Sequence, residues 1–116
     1  IKQNKVMVLV KHNGELDLPG GRVENSEGFI NCLHREVFEE VDLGFKKFEL
    51  VANWSFMKNS ELRIKGETYI CFYHRGPITL SQEHKDYYWA GIDELKRSQF
   101  KHSFGLETIN LESLLG

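Results

Sequence analysis

Three closely spaced glutamates, Glu36, Glu39 and Glu40, are the residues of this chain whose type and spacing best suit metal chemistry. On a helix with about 100° per residue, Glu36 and Glu40 lie about 40° apart, and Glu39 lies about 60° to the other side of Glu36. Carboxylates on one face repel each other, and a divalent cation relieves the repulsion by taking their oxygens as ligands. Such oxygen ligands favour Mg²⁺, with Mn²⁺ as a substitute, over zinc.

The helix that must carry these glutamates is predicted from an apolar stripe on its other side. Apolar residues recur at helical spacing, as in a helix packed on a core: Ile30, Leu33, Val37 and Val41. Asn25 or Ser26 can cap the start, and Asp42 is expected to end the helix because Asp tolerates left-handed backbone. Before it, Pro19-Gly20-Gly21 forms a tight loop with little side chain, which lets a phosphate or a metal approach the backbone.

The segment from Gly21 to Leu43 resembles the Nudix box, the signature of the Nudix hydrolase family. The box reads Gly, five residues, Glu, seven residues, Arg-Glu, a large aliphatic residue, any residue, Glu-Glu, any residue, Gly and an aliphatic residue. It is met by Gly21, Glu27, Arg35, Glu36, Val37, Glu39, Glu40 and Leu43. Asp42 replaces the final glycine, and we expect an altered helix exit but an intact site. Glutamates with an arginine on a helix usually form a solvated face, but Gly21, Glu27, Arg35 and Pro19-Gly20 at the offsets of the box outweigh that reading.

The resemblance implies an α/β fold, an α/β/α sandwich with a mixed β-sheet, as a single domain over residues 1–116. Strands mixed with one long central helix agree with such a layered domain. In the family a further strand normally precedes the one that we predict at 5–10. Because the sequence starts at Ile1 rather than Met and enters this strand almost at once, we expect the domain to be truncated at its N-terminus, with that strand missing.

Hydrophobic and turn patterns predict the remaining elements. Strands are predicted at 5–10, 15–18, 48–56, 68–73 and 89–92. Asn13-Gly14 predicts a two-residue turn between the first two strands. The polar segments 57–66 and 81–88 are predicted to be loops, and short helices are predicted at 93–97 and 108–115.

Hydrolysis of a pyrophosphate linkage by water requires neutralised phosphates, an activated water and in-line geometry. A glutamate cluster loaded with Mg²⁺ supplies the first two, so we assign the three glutamates as metal ligands. The resemblance adds the carbonyl of Gly20 as a further ligand. We assign Gly20, Gly21 and Arg22 to the substrate phosphates.

Arg35 and Glu27 are assigned to support the cluster. On an ideal helix Glu27 lies about 180° from Glu36, so it cannot ligate the same ion. We therefore expect an Arg35–Glu27 pair that orients the acidic residues, which resembles what the family does.

The general base is left open between a box glutamate and an acid from segment 81–88, where the family often supplies one. Glu83 and Asp86 are the candidates there, with His84 behind them. Aromatic residues available to hold a base are Trp54, Phe56, Tyr69 and Tyr87, whereas Trp89 is expected in the core. No further signature identifies the substrate.

Composition limits the partners of the chain. Its 116 residues are 41% hydrophobic and 28% charged, with a net charge of −2, so it has no footprint for nucleic acid or anionic membranes. No apolar run approaches the roughly 20 residues of a membrane span, and no signal peptide is visible. Cys32 and Cys71 are expected to be free thiols in a reducing compartment. We therefore expect a cytoplasmic protein that binds a small nucleotide, with a homodimer possible because many relatives dimerise.

The function implied by the resemblance is that of a Nudix pyrophosphohydrolase. It would cleave, with Mg²⁺, a nucleoside diphosphate linked to another group: a nucleoside triphosphate, ADP-ribose, a sugar nucleotide or a dinucleoside polyphosphate. The alternative is a catalytically silent, nucleotide-binding regulatory module on the same fold, but such a module is expected to lose box glutamates. An isomerase of isoprenoid diphosphates would need an activated cysteine, and nothing around Cys71 in the sequence suggests activation.

Overall fold

Strands and helices combine in the computed structural model, which describes residues 1, 4–21, 27–42, 44, 48–72, 77–100 and 104–115. The strands are β1 (Val6–Lys11), β2 (Leu16–Asp17), β3 (Phe48–Met57), β4 (Arg63–Cys71) and β5 (His84–Ala90). The helices are α1 (Phe29–Val41), α2 (Ile92–Arg97) and α3 (Leu111–Leu115), with a 3₁₀ turn at Leu106–Thr108. This composition confirms the predicted α/β class. No helix among the described residues is long and apolar enough to span a membrane.

The described strands form two sheets. One has the order β2-β1-β5 and the other pairs β3 with β4, and the strand pairs in both are antiparallel. The parallel component of the mixed sheet is an isolated bridge between Leu16 and Phe100. Strand β1 is therefore the central strand of the larger sheet.

Strand β1 is apolar from Val6 to Val10 because both of its faces are covered. Successive side chains of a strand point to opposite faces, so its residues contribute alternately to two cores. One core contains Met7, Leu9, Val37 and Val41, and the other contains Val8, Ala90, Leu95 and Leu115. Helix α1 thus packs on one face of the sheet, and α2 and α3 pack on the other. This is the expected α/β/α layering, and it presents the remaining faces of α1 for the site.

The hairpin between β1 and β2 differs from the predicted two-residue turn. The N–H of Lys11 donates to the carbonyl of Glu15 at 2.9 Å, and the N–H of Gly14 donates to the carbonyl of Lys11 at 2.9 Å. Residues 12–14 therefore form a three-residue loop, in which Gly14 has a φ of +87°. A left-handed glycine at the end of such a loop is the usual solution for this hairpin length.

The starts of two strands were predicted wrongly because polar strands and turns resemble each other in sequence. Strand β4 begins at Arg63, inside the loop predicted at 57–66, and β5 begins at His84, inside the loop predicted at 81–88. An antiparallel strand with one solvated face tolerates such polar residues. Helix α3 begins at Leu111, later than predicted, because a 3₁₀ turn precedes it.

Helix α1 carries the box glutamates between two well-defined ends. It begins at Phe29, with Gly28 as N-cap and without a capping side chain. The predicted capping residues 25–26 lie outside the described residues, and the cap position itself was predicted wrongly. The predicted end is confirmed: Asp42 has a φ of 59° and a ψ of 36°, and its N–H donates to the carbonyl of Phe38 at 2.9 Å.

Replacement of Asp42 by glycine should stabilise the fold. Glycine adopts left-handed backbone without a Cβ penalty, so Asp42→Gly should raise the free energy of unfolding by up to about 1 kcal/mol. Asp42→Asn removes the charge but keeps the Cβ atom, so it separates electrostatics from backbone strain. Urea denaturation in EDTA gives the free energy of unfolding of the wild type and of the two variants. If Asp42→Gly were less stable than both the wild type and Asp42→Asn, the left-handed conformation of Asp42 would be contradicted.

Candidate active site

Arg35 is the centre of an ion-pair network on α1. Its Nε and Nη2 contact the two carboxylate oxygens of Glu27 at 2.8 and 2.9 Å. Its Nη1 contacts Glu36 Oε1 at 2.8 Å and Glu39 Oε2 at 3.3 Å. The expected Arg35–Glu27 pair is thus present, in the two-pronged geometry that makes such pairs strong. One guanidinium group offsets the repulsion among three carboxylates and ties the residue before the helix to the helix itself.

Glu40 is the buried member of the cluster. It is 4% exposed, and its Oε2 atom has no hydrogen-bond partner among the described residues. Burial, together with the nearby carboxylates of Asp17 and Glu36, raises the pKa of Glu40 to about 9, although a hydrogen bond from the backbone of Gly20 opposes the rise. A buried carboxyl group in this state needs either a proton or a cation.

The glycine loop, Gly20-Gly21, lies directly against the glutamates. A Cβ atom on Gly21 would come within 2.3 Å of Glu36 Cδ, so only glycine leaves room for this carboxylate. Gly20 has a φ of +151°, which side chains rarely tolerate. The thiol of Cys32 contacts the carbonyl of Gly21 at 3.7 Å. The loop predicted to hold phosphate is therefore next to the acidic cluster, as the sequence suggested.

Asp17 and His84 form a pair beside Glu40 that the sequence analysis missed. The Asp17 Oδ2 atom lies 3.3 Å from His84 Nε2, and Asp17 Oδ1 accepts a hydrogen bond from the N–H of Leu18 at 2.9 Å. The His84 side chain is 2% exposed. The strand register is the feature that could have identified Asp17. Asp17 pairs with the buried Leu9, and this pairing places it on the α1 side of the sheet.

The other predicted residues are less closely associated with this cluster. The side chain of Glu39 is 56% exposed, and among the described contacts it is connected to the acidic cluster only through Arg35. Glu83 is exposed in a turn, and no contact described for its carboxylate reaches the cluster. Asp86 is exposed on β5, where its carboxylate accepts a hydrogen bond from its neighbour's N–H. Arg22 lies outside the described residues.

The donor chemistry fits a hard divalent cation. Among the described residues no three His, Cys, Asp or Glu side chains are gathered closely enough to form a ready-made metal site, because Glu36 and Glu39 turn towards Arg35. However, Glu40 has a buried oxygen without a partner, and Glu36 is adjacent to it. A carboxylate pair with one unsatisfied oxygen is the ligand type that Mg²⁺ and Mn²⁺ prefer.

A cleft of about 1150 Å³ extends from the glycine loop past α1 to the β3–β4 sheet. Trp54 lines it and stacks on Phe56, with ring centroids 6.1 Å apart and 13° between the planes. The indole N–H of Trp54 donates to Thr68 Oγ1 at 2.9 Å. Tyr87 and Trp89 pack against the core beside α1, and Trp89 also lines the cleft. Of the aromatic residues proposed to hold a base, Trp54, Phe56 and Tyr69 line the cleft, and Tyr87 is not among its lining residues.

A family model described as a NUDIX domain matches residues 2–107. The chain belongs to the NUDIX domain family. The match confirms the resemblance seen in the box and the assignment of the chain as a Nudix pyrophosphohydrolase. No curated protein matches this chain.

Solved structures share the fold of this Nudix domain. The MutT protein of Bacillus halodurans has a TM-score of 0.79 at 24% identity, covering 98% of this chain and 78% of that one. An Ap4A hydrolase of C. elegans, in a binary complex, has a TM-score of 0.70 at 15% identity, covering 88% and 80%. The NUDIX domain of Shewanella oneidensis NrtR, complexed with ADP ribose, has a TM-score of 0.72 at 14% identity, covering 94% and 75%. At these identities the likeness establishes the fold.

The burial of Glu40 should make the metal-free Nudix domain less stable as pH rises. Its folded-state pKa of about 9 exceeds the usual value of 4.5, so the folded state binds more protons than the unfolded state between these values. The contribution of Glu40 is fully present below pH 4.5 and is lost as pH rises towards 9. Glu40→Gln should lack this loss, and in EDTA it should melt above the wild type at pH 8 but not at pH 4.5. Equal melting temperatures at both pH values would contradict a buried, unpaired Glu40.

Proposed function

We propose that this chain, as a single Nudix domain, catalyses Mg²⁺-dependent hydrolysis of a pyrophosphate linkage in a nucleoside diphosphate linked to another group. Water attacks phosphorus, and the leaving group carries a phosphate. The observation that carries the proposal is Glu40, a buried carboxyl on the box helix and against the glycine loop, with one oxygen that has no partner in the part of the chain that the structure describes. An exposed, salt-bridged face would have no such group.

The acidic residues and the glycine loop have separate roles in this proposal. The cation is held by Glu36, Glu39, Glu40 and the carbonyl of Gly20. When bound, it neutralises phosphate charge and lowers the pKa of water. The glycine loop places backbone groups at the substrate phosphates, together with Arg22. The adjacency of the loop to Glu36 supports this division.

Arg35 positions the cluster and does not contact the substrate in this proposal. It holds Glu27 with two hydrogen bonds, so its guanidinium stays fixed at the start of α1. Its third nitrogen is shared between Glu36 and Glu39. Cation binding would therefore draw these two carboxylates away from one shared nitrogen, whereas Glu27 would keep its two hydrogen bonds.

The general base is proposed to be a box glutamate or Glu83. A box glutamate has the advantage of proximity, since Glu36 already lies against the glycine loop. Glu83 follows Ser81, whose N–H donates to the carbonyl of Glu40 at 2.8 Å, so its turn is anchored to the end of α1. The pH profile of a Glu83→Gln variant, compared with that of the wild type, separates the two sources.

The substrate belongs to the nucleotide class in this proposal. The described neighbours include an Ap4A hydrolase and a domain complexed with ADP ribose, which supports a dinucleoside polyphosphate or ADP-ribose among the candidates. Nucleoside triphosphates and sugar nucleotides complete the set. Trp54 and Phe56 on the cleft supply an apolar surface on which a base could stack.

A phosphate-release screen over these four substrate classes tests the proposal. Coupling to a phosphatase detects the phosphomonoester products of ADP-ribose, sugar nucleotides and dinucleoside polyphosphates, and coupling to an inorganic pyrophosphatase detects the pyrophosphate released from nucleoside triphosphates. Each reaction is run with Mg²⁺, with Mn²⁺ and with EDTA. Turnover of one class that is lost in EDTA would establish the activity. Silence over the whole panel, combined with a nucleotide-induced rise in melting temperature, would instead support the binding module.

Removal of a ligand carboxylate should abolish turnover without unfolding the protein. Glu36→Gln, Glu39→Gln and Glu40→Gln should each lower kcat/KM roughly 100-fold or more, since even outer partners of metal ligands cost 10–100-fold. Glu61→Gln is the matched control, because Glu61 is exposed in the β3–β4 loop. Kinetics and melting temperatures are measured on the same samples, and near-normal activity of any one variant would remove that residue from the ligand set.

A further inference from the structure

Asp17 faces the same side of the sheet as the box glutamates. It lies on β2, directly opposite Leu9 of β1, and directly paired residues of neighbouring strands point to the same face. Leu9 is fully buried against Val37 and Val41 of α1. The carboxylate of Asp17 is therefore on the α1 side of the sheet, although Asp17 lies outside the Nudix box.

Two hydrogen-bonding partners fix the orientation of Asp17. Its Oδ1 accepts from the N–H of Leu18, and its Oδ2 lies 3.3 Å from Nε2 of the buried His84. The segment before His84 is itself tied to α1, because the N–H of Ser81 donates to the carbonyl of Glu40 at 2.8 Å. The end of β2, the start of β5 and the last turn of α1 are thus connected around Glu40.

The carboxyl group of Glu40 supplies an independent sign that a ligand belongs here. It is more than nine-tenths buried, and its Oε2 has no partner among the described residues. The carboxylates of Asp17 and Glu36 are close enough to act on it electrostatically. A buried, unsatisfied carboxyl oxygen with two further acidic groups nearby is unfavourable without a positive charge. Arg35 contacts Glu36 from the helix side, and the contacts described for it do not extend to Asp17.

We propose that Asp17 is an additional acidic residue of the cation centre around Glu40, and that His84 is the positioning residue that holds Asp17 towards it. The proposal rests on the proposed function in one respect, since it takes Glu40 as a cation ligand. It extends the centre from one helix to the sheet, so that residues of both β2 and α1 would hold the cation. If the box glutamates alone formed the cation site, no carboxylate from the sheet would be required.

Binding of Mn²⁺ to the whole chain without nucleotide tests the role of Asp17. The electron paramagnetic resonance signal of free Mn²⁺ gives the affinity, and melting in EDTA gives the stability. Asp17→Asn should weaken Mn²⁺ binding by about 10–100-fold. Its melting temperature in EDTA should stay unchanged or rise, since a charge that repels Glu40 is gone. Affinity within about twofold of the wild type would overturn the proposal, and so would a lower melting temperature with unchanged affinity.

Asp86→Asn is a closely matched control. Asp86 accepts a hydrogen bond from the N–H of the next residue at 2.8 Å, as Asp17 does at 2.9 Å. It pairs with Val10, which neighbours Leu9, and therefore faces the other side of the sheet. Its Mn²⁺ affinity should equal that of the wild type. A loss equal to that of Asp17→Asn would show a general effect of charge and would overturn the proposal.

Variants of His84 test the positioning role. His84→Leu removes the contact to Asp17 and should weaken Mn²⁺ binding, whereas His84→Gln keeps an N–H donor and should retain most of the affinity. The double variant Asp17→Asn/His84→Leu should bind no more weakly than Asp17→Asn alone, because His84 acts through Asp17. The positioning role of His84 would be overturned if the losses of Mn²⁺ affinity were additive in the double variant. It would also be overturned if His84→Gln and His84→Leu lost the same affinity.

Glu40→Gln separates failure of this inference from failure of the proposed function. If Glu40→Gln loses Mn²⁺ binding while Asp17→Asn keeps it, the cation centre stands and Asp17 is not part of it. If Glu40→Gln binds Mn²⁺ as tightly as the wild type, Glu40 is not a ligand, so the inference about Asp17 falls and the proposed function loses the observation that carries it.

Discussion

The repulsion among carboxylates on one helix is the constraint on which this structure depends. Glu36, Glu39 and Glu40 share the last two turns of α1, and Arg35 can neutralise only part of their charge. Arg35 pairs with Glu27, Glu36 and Glu39, whereas Glu40 is buried and one of its oxygens has no partner among the residues that the structure describes. The acid that the arginine does not reach is therefore the one most in need of a cation.

This arrangement requires a rigid support, which the two-faced β1 strand provides. Its alternating side chains hold α1 on one side and α2 and α3 on the other, so neither layer can shift without disturbing the other. The short β1–β2 hairpin then places β2 and the glycine loop beside Glu36 and Glu40 of α1. The glycines permit this approach, because a side chain at Gly21 would occupy the position of the Glu36 carboxylate.

Much of this site could be predicted from sequence because its parts are local. Helical periodicity placed Arg35, Glu36 and Glu40 and implied the Arg35–Glu27 pair, and the tolerance of Asp for left-handed backbone predicted the exit at Asp42. Asp17 and His84 could not be found in this way, since they are far apart in the chain and meet only through strand register. The same limit explains the misplaced starts of β4 and β5, whose polar residues become strands only when a partner strand is present.

The end of α1 has an electrostatic consequence of its own. The aligned peptide dipoles of a helix leave a partial negative charge, equivalent to about half an elementary charge, at its C-terminus. Helix α1 ends at Val41, one residue after Glu40, and carries no basic side chain in its last turn. The macrodipole therefore adds to the negative potential at Glu40 instead of opposing it. The backbone of the helix, as well as its side chains, favours a positive ion at this end.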